Sequence, residues 1–445
     1  MLLPEIADLY DTVLAQGEPG VDRFYAALRD RRIDPVPNPA TGSRNLYNPS
    51  PMIVSGTLVE QMVADANRFC GALRAEGRNG AALLARMPSD VRDTFASPEI
   101  ADRIVSDLRV AHPLTGVDAF LEATTNGLKL AYLEWQTVGM YLTLGRLVLQ
   151  CMAQAWPVLA ERASLTAQPT LTLAALGERL RAFYLAGIED DPRQGVVLDY
   201  QPMTQPTRDE FRAIQQLTGG ERDGMAILDP RAITRHNGRP HYRRDGLLIP
   251  VRRVYARLVY SDMQRLLAES TATERTLLRD LFGGGTDLSW ISHPLHFFYG
   301  SKADFPRFWQ QGLSSALGAC WTVDQAFMER QAPTLVTGDR LVGYVQKPVT
   351  GQSGQGVIRH PRFDELRLGA VLQREIVPAD CHLTLWGRRT PEIRVMCLPE
   401  ADGTLAAGLV YTRVKAPEVF LSNAGDLAAR RIPGTGEGYG VVVFP

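Results

Sequence analysis

The sequence predicts a mixed α/β or α+β protein with more than one lobe. Three observations support this fold class. Apolar residues at helical spacing dominate the first third of the chain, short apolar segments alternate with helices in the middle third, and strand patterns fill the last third. The 445 residues suffice for two or three structural units with a large core.

Composition excludes several classes of protein. The chain has 48 Lys and Arg against 49 Asp and Glu, and 45% of its residues are hydrophobic. A disordered chain would hold fewer apolar residues, and a general nucleic-acid or membrane-surface binder would show a basic excess. Met1 to Ile6 contains Pro4 and Glu5, unlike a signal peptide, and no segment approaches ~20 apolar residues. We therefore expect a cytoplasmic protein that binds neither nucleic acid nor membrane.

Cysteine and histidine offer no metal site in the sequence. The five cysteines are scattered and never spaced as CxxC, which is typical of reduced thiols. His293 and His296 flank Pro294 at the start of an apolar segment, residues 295–299, which we interpret as a strand. On a strand the two rings would point to opposite faces and could not share a metal.

Helical patterns come first along the chain. Residues 58–75 form a long amphipathic helix, and residues 144–163 form another that Pro157 interrupts. Residues 171–185 predict a third helix that ends at Gly187. The Pro- and Gly-rich segment 35–51 and the tail after Pro433 are both expected at the surface.

Strands begin after the turn at Asn126 and Gly127, with residues 128–135. The middle third predicts strands at 195–200 and 225–228 and helices at 207–217 and 273–282. The last third predicts strands at 341–347, 356–359, 370–376, 392–398 and 405–414, the last two joined in a hairpin at residues 401–403. We divide the chain into a helix-rich region 1–117, a central α/β region 118–300 and a strand-rich region 301–445.

The strongest local signal surrounds Lys347. A strand delivers this lysine into a loop with three glycines, Gly351, Gly354 and Gly356, which leads into another strand. Glycines let backbone N–H groups turn toward phosphate oxygens, and a lysine supplies a point charge. A glycine-rich hairpin with a solvated lysine explains the same residues, so the segment alone leaves both interpretations open.

Other polar residues accompany this loop. Lys302 stands at the junction of an apolar segment and a helix, while Glu392 and Arg394 lie two residues apart and hence on one face of a strand. Glu134 interrupts an otherwise apolar strand, and a buried acid needs a partner such as a metal ion. Arg253 and Arg257 belong to a basic-aromatic segment that would also fit a solvated face.

The order of these motifs resembles the ATP-grasp ligases. Lysine, Lys-Pro with a glycine loop, Gln-x-Glu hinge, Glu-x-Arg strand and a further arginine, Arg413, follow one another as in that superfamily. Upstream, residues 126–136 are similar to its Gly…Glu-x-Asn metal motif. That motif precedes the lysines, as in the circularly permuted branch that contains glutathione synthetase and glutathionylspermidine synthetase. Residues 251–262 are similar to the Tyr- and Arg-rich stretch of this branch, and the matches span roughly residues 119–425.

The resemblance implies an ATP- and Mg²⁺-dependent carboxylate–amine ligase that acts on small molecules through an acyl phosphate. The residues implied to bind ATP are Lys302, Lys347, Gly351, Ser353, Gly354, Gly356, Gln373, Glu375 and Ile376. The implied metal ligands are Glu134, Gln136 and Glu122. The implied catalytic residues are Arg394 and Arg413, and those implied to bind substrate are Arg253, Arg257 and Asn423.

Two other functions stay open. Gln136 replaces the usual asparagine, which would suit a nucleotide-binding protein with lost or altered activity. A small-molecule kinase on the same fold would stop after phosphorylating its substrate. The helix-rich region 1–117 shows no motif and is expected to contribute to the acceptor-substrate pocket.

Overall fold

The computed structural model describes residues 4–38, 40, 45–77, 79–110, 113–125, 127–137, 141–284, 288–350, 356–416 and 434–444. Its helices are α1 Pro4–Leu14, α2 Gly17–Asp30, α3 Gly56–Ala75, α4 Gly80–Arg86, α5 Ser89–Phe95, α6 Pro98–Val110, α7 Leu142–Ala155, α8 Pro157–Arg162, α9 Leu173–Leu185, α10 Arg208–Thr218, α11 Gly220–Asp223, α12 Tyr260–Glu269, α13 Ala272–Phe282, α14 His296–Tyr299, α15 Phe305–Gln310 and α16 Ala332–Leu335. Its strands are β1 Met52–Ser55, β2 Thr115–Thr124, β3 Gly127–Gln136, β4 Gly195–Leu198, β5 Ala226–Leu228, β6 Thr234–His236, β7 Arg239–Arg244, β8 Leu247–Pro250, β9 Arg253–Ala256, β10 Ser289–Ser292, β11 Cys320–Thr322, β12 Tyr344–Lys347, β13 Ile358–Arg359, β14 Val371–Arg374, β15 His382–Thr384, β16 Gly387–Pro399, β17 Leu405–Lys415 and β18 Gly436–Val443.

The largest sheet, called the central sheet below, has the strand order β1-β18-β17-β16-β2-β3, and β15 also pairs with β16. β1 runs parallel to β18, and the other neighbours are antiparallel. The sheet takes strands from all three regions of the sequence, and β2 crosses the division between residues 117 and 118. The mixed α/β class is confirmed, but the three regions meet in one sheet.

Helices cover both faces of the central sheet. On one face, α3 packs against β16 and β17, and Phe69 shares a core with Val395. On the other face, α7 packs against β17 and β18, and Leu409 and Tyr439 lie in its core. Gly145 permits the close approach of α7, because a Cβ at this position would lie 2.3 Å from the Tyr439 ring.

Three smaller sheets flank this layered body. The parallel sheet has the order β10-β9-β4-β5, and the small antiparallel sheet has the order β11-β14-β12-β13. A hairpin sheet contains β6, β7 and β8. The parallel sheet comes from strands joined by helices, whereas the small sheet comes from the strand-rich end of the chain.

Most elements predicted from periodicity are confirmed. The predicted helix at 58–75 is α3, and Pro157 divides the predicted helix at 144–163 into α7 and α8. The hairpin around residues 401–403 joins β16 and β17. The predicted ends of strands are less accurate, since the strand predicted at 341–347 begins only at Tyr344.

The strand predicted at residues 295–299 is wrong. Residues 296–299 form α14, and the Leu295 backbone N–H donates to His293 Nδ1 at 3.1 Å in the turn before it. A short apolar segment has no periodicity that separates a buried helix from a strand. The two histidines lie close together after all, since the His293 N–H donates to His296 Nδ1, but burial lowers their pKa values to about 3 and about 4.

The two segments predicted at the surface are largely buried over residues 45–51 and 434–442, whereas Val36 and Ala40 of the first segment are exposed as predicted. Asn45, Tyr47 and Asn48 are buried, and the Asn48 N–H donates to the Glu437 carbonyl oxygen at 2.6 Å. The tail after Pro433 forms β18, an interior strand of the central sheet. Their glycines and prolines resemble loop composition, but here they permit tight packing between elements distant in sequence.

No helix in the described ranges is long and apolar enough to cross a bilayer. The five cysteines are free and buried, as predicted for reduced thiols.

A buried carboxylate caps the N-terminus of α7. Glu210, on α10, accepts from the Thr143 N–H at 3.1 Å and from the Leu144 N–H at 2.6 Å. These bonds satisfy helix donors that otherwise lack partners. Burial nevertheless raises the pKa of Glu210 to about 7, because desolvation penalises the carboxylate more than the backbone donors stabilise it.

We expect Glu210→Gln to remove a pH dependence of stability. Because the folded-state pKa of Glu210 is raised, its contribution is fully present near pH 4.5 and is lost as the pH rises through about 7. The free energy of unfolding of the variant should therefore rise relative to the wild type by about 3 kcal/mol across this window. Urea titrations at several pH values measure this, with exposed Glu161→Gln as the control. Parallel curves for wild type and Glu210→Gln would contradict the assignment.

Candidate active site on the central sheet

Charged side chains cluster on the face of the central sheet that packs against α7. They lie farther along the strands than the apolar residues that contact this helix. Alternation along each strand places them there, because every second residue of a strand points to the same face. Two rows cross the antiparallel strands in register: Glu134, Asp118, Arg394, Tyr411 and Tyr439 form one, and Phe120, Glu392, Arg413 and Glu437 form the next. We call these two rows the charged face.

The centre of the charged face is a buried ion pair. Arg394 Nη2 lies 2.6 Å from Asp118 Oδ2, and Arg394 Nε also donates to the same carboxylate. Arg394 and Asp118 are 4% and 1% exposed, so water cannot replace either partner. Burial opposes the charged guanidinium, but Asp118 outweighs it and raises the pKa of Arg394. Burial also raises the pKa of Asp118, and Arg394 opposes that rise.

The second row carries a chain of alternating charges. Arg413 Nη1 lies 3.2 Å from Glu392 Oε1, and Arg413 faces Glu437 across β17 and β18. Burial raises the pKa of Glu437, with Arg413 opposing it. This arrangement confirms that Glu392 and Arg394 share one face of β16.

Glu134 lies at the edge of the charged face beside Lys302. Lys302 Nζ is 3.5 Å from Glu134 Oε1. The lysine begins a short 3₁₀ helix, Lys302–Asp304, which a capping box of Ser301 and Asp304 fixes. Burial raises the pKa of Glu134, yet surrounding cations outweigh it and hold the pKa below its ordinary value. These cations are Lys302, Arg394, Lys347 and Arg413.

Lys347 joins the small antiparallel sheet to the central sheet. Its Nζ donates to the Leu133 carbonyl oxygen at 3.0 Å and to Gln373 Oε1 at 2.7 Å. Gln373 Nε2 in turn donates to the Tyr132 carbonyl oxygen at 2.8 Å. The register shift in β3 beside Glu134 leaves these carbonyl oxygens available. Burial and the neighbouring Lys302 lower the pKa of Lys347 to about 8.

Three further residues implied to bind nucleotide lie next to strands of the small antiparallel sheet: Glu375 and Ile376 follow β14, and Gly356 precedes β13. Ile376 forms a small apolar cluster with Phe120, Ala131 and Leu133 of the central sheet. The Glu375 carboxylate pairs with Arg359 and with His360, whose Nε2 is 2.5 Å away. Gly356 adopts a positive φ of 70° after the loop. Gly351, Ser353 and Gly354 lie outside the described residues.

The implied metal ligands do not form a cage. Among the described residues, no group of three or more acidic, histidine or cysteine side chains is arranged to hold a metal ion. Glu122 pairs with Arg374 at 2.9 Å and with Lys129 at 3.3 Å. Placing the Gln136 amide by its hydrogen bonds directs its oxygen to Arg394. Mg²⁺ usually takes one or two carboxylates plus substrate phosphates, and of the implied ligands the Glu134 carboxylate, paired with Lys302, is the one that lies among the cations of the site.

Arg253 and Arg257, predicted together, lie at opposite ends of β9. Arg257 follows the carboxyl end of the strand, where its Nη1 is 3.6 Å from Asp199 Oδ2. Arg253 begins the strand and donates to the carbonyl oxygens of Tyr184 and Phe183. Arg257 interacts electrostatically with Tyr141. Arg394 and Arg413 of the charged face interact with the same tyrosine. Asn423, the third residue of this group, lies outside the described residues.

Sequence reasoning missed two residues of the charged face and a lysine beside it. Asp118 and Glu437 lie on strands that were not predicted, and Lys415 ends β17 with its Nζ 4.5 Å from the centre of the Phe120 ring. Burial lowers the pKa of Lys415 to about 8. The mainly apolar segment 117–121, interrupted by Asp118 alone and followed by the Asn126-Gly127 turn, could have indicated β2, and with it Asp118.

No family model and no curated protein matches the sequence. Among solved structures, the chain is similar to a glutathione synthetase-like effector from Globodera pallida, determined in its apo form. The sequence identity is 12%, the TM-score is 0.53, and the match covers 100% of both chains. At this identity the similarity concerns the fold alone, and it supports an ATP-grasp-like fold.

We expect Asp118→Ala to lower the free energy of unfolding by about 3–5 kcal/mol, because it leaves the Arg394 charge buried without its partner. The matched control is Asp8→Ala, which breaks the exposed pair with Arg162 and should cost about 0–1 kcal/mol. Guanidinium titrations measure both values. Equal losses in the two variants would show that the buried pair has no special structural role.

Proposed function

We propose that this protein is an ATP- and Mg²⁺-dependent ligase that joins a carboxylate to an amine, built on the circularly permuted ATP-grasp fold. The observation that carries the proposal is the set of four cations that act on the Glu134 carboxylate, namely Lys302, Arg394, Lys347 and Arg413. They come from the small sheet, the short helix beside it and the central sheet. The order of β2 and β3 before β12 in the chain agrees with a permuted fold.

Such a set of cations suits a triphosphate. Phosphoryl transfer between two anions needs positive charge around the moving group and alignment of the reacting oxygens. Lys302 and Lys347 would hold the phosphates at the junction of the sheets. Arg394 and Arg413 would face the transferred group and the carboxylate that accepts it. Bound Mg²⁺ would neutralise phosphate charge, with Glu134 as its protein ligand.

Adenine would lie between the small sheet and the central sheet. Ile376 and its apolar neighbours offer the surface for the ring. The Glu375 carboxylate would reach the ribose by exchanging its bond to His360 for hydroxyl groups. Glu122, held by Arg374 and Lys129, is left out of the proposed metal site.

The carboxylate substrate would enter from the parallel sheet. Ligands of parallel sheets bind at the carboxyl ends of the strands, where Asp199 and Arg257 lie. Asp199 Oδ2 is buried without a hydrogen-bond partner, and an ammonium or hydroxyl group of a substrate would satisfy it. The chemistry then runs in two steps: the γ-phosphate passes to the carboxylate, and the amine displaces phosphate from the acyl phosphate.

A nucleotide-binding protein with altered activity is the second candidate. The Gln136 oxygen faces Arg394, and Asp118 and Glu392 are each paired with an arginine. A site with one available acid would bind nucleotide yet align it poorly. ADP release measured with candidate carboxylates and amines, singly and in pairs, separates the functions: a ligase needs both substrates, a kinase needs one, and an inactive binder releases none.

We expect Lys347→Ala to abolish nucleotide-dependent turnover and weaken ATP binding at least tenfold, because a charge-assisted phosphate contact is worth about 1.5–3 kcal/mol. Lys129→Ala, which removes a half-exposed lysine paired with Glu122, is the matched control and should bind ATP normally. Calorimetric titration with ATP and Mg²⁺ measures both, and circular dichroism checks the fold. Unchanged binding in folded Lys347→Ala would exclude the lysine from the site.

ATP affinity should also depend on pH through Lys347. Because its pKa is lowered to about 8, the lysine loses its charge as the pH rises above that value, and affinity should fall up to about tenfold per pH unit. Lys347→Arg should flatten this decline, because a guanidinium stays charged. Titrations from pH 7 to 9.5 test this. A decline that persists in Lys347→Arg would assign it to another group.

A further inference from the structure

A second basic cavity lies at the opposite end of the parallel sheet. It measures about 790 Å³ and is enclosed by the end of α9, the β6–β7 hairpin, the start of β9 and the segment before β10. Five basic side chains line it: Arg235, Arg239, His241, Arg252 and Arg253. No acidic residue is among the described lining residues.

Two of these arginines have no acidic partner among the residues that the structure describes. Within the described ranges, no hydrogen bond or ion pair engages the guanidinium groups of Arg239 and Arg252. Arg235, by contrast, is 2.7 Å from Asp280 Oδ2. Nearby Glu189 does not line the cavity, and its Oε1 accepts from the Gly187 N–H at 2.9 Å. The cavity therefore keeps a positive excess in a protein of net charge -1.

Arg253 is a fixed positive charge in the wall of the cavity. Arg253 donates through Nε to Tyr184, through Nη2 to Phe183 and through Nη1 to Ser289 Oγ at 2.6 Å. These bonds hold its guanidinium in place without any carboxylate. Burial lowers the pKa of Arg253 to about 10, so the group stays charged at neutral pH.

This cavity is separate from the proposed ligase site. Arg253 begins β9 and Arg257 follows it, so the two ends of the strand lie roughly 13 Å apart. The charged face, Asp199 and Arg257 belong to the carboxyl end, and the cavity belongs to the amino end. The proposed ligase mechanism uses none of the residues that line the cavity.

We propose that this cavity binds a small organic polyanion through Arg239 and Arg252. Arginine forks match phosphate and carboxylate oxygens in pairs. The volume lies within the range of about 300–1,000 Å³ found for small-molecule sites and exceeds what one inorganic ion fills. Ile188, Pro240, Val251 and Leu288 supply apolar wall for the organic part of the ligand.

The test uses calorimetric titration of the full chain with tripolyphosphate and, separately, with citrate. All titrations are made in the Lys347→Ala background, which disables the proposed ATP site and keeps the two proposals distinguishable. Arg239→Ala and Arg252→Ala should each weaken the preferred anion about tenfold or more, since each removes a charge-assisted contact. Arg222→Ala and Arg243→Ala remove exposed arginines outside the cavity and should leave affinity within about twofold.

The comparison between the two probes identifies the ligand chemistry. Tighter binding of tripolyphosphate indicates a phosphorylated ligand, and tighter binding of citrate indicates a polycarboxylate. Loss of affinity that is equal in the cavity and control variants would overturn the proposal, because it would reflect overall charge. Absence of binding at millimolar concentration, or binding of duplex RNA alone, would overturn it as well.

Discussion

The ladder of ion pairs across the central sheet is the constraint on which the candidate site depends. Asp118 and Arg394 are paired by register and buried together, so each fixes the charge state of the other. Burying either charge alone would cost several kcal/mol. Because antiparallel strands hold this register over many residues, one pair orders the neighbouring charges of both rows. The arrangement of acids and bases is thus a property of the sheet.

The same ladder limits what the site does without a ligand. Arg394 and Arg413 hold carboxylates, and Lys347 holds the Leu133 carbonyl oxygen of β3. A polyanion that enters must replace these partners or share them. Lys347 also binds the small sheet to the central sheet, so a nucleotide that takes this lysine would alter the contact between them. The Gln373 bond to the Tyr132 carbonyl oxygen would remain as a second link between the two sheets.

The parallel sheet separates the proposed ligase site from the proposed polyanion site. Its carboxyl end presents Arg257 toward the charged face, and its amino end presents Arg253 to the second cavity. Both arginines belong to one short basic segment, and the strand between them is buried. The four residues of β9 separate the two arginines by enough distance for them to belong to different sites. A basic cluster in sequence therefore became two separate surfaces.

The sequence by itself determined the fold class, most helices and the strands that present Lys347, Glu392 and Arg394, because periodicity and turn residues act locally. It did not determine β18 or the buried segment before β1, whose glycines and prolines resemble loops until a distant strand pairs with them. It also placed Glu122 among the metal ligands, although Arg374, 252 residues later, takes its carboxylate. Tertiary structure decided these points, because register and burial between distant strands assign each buried charge its partner.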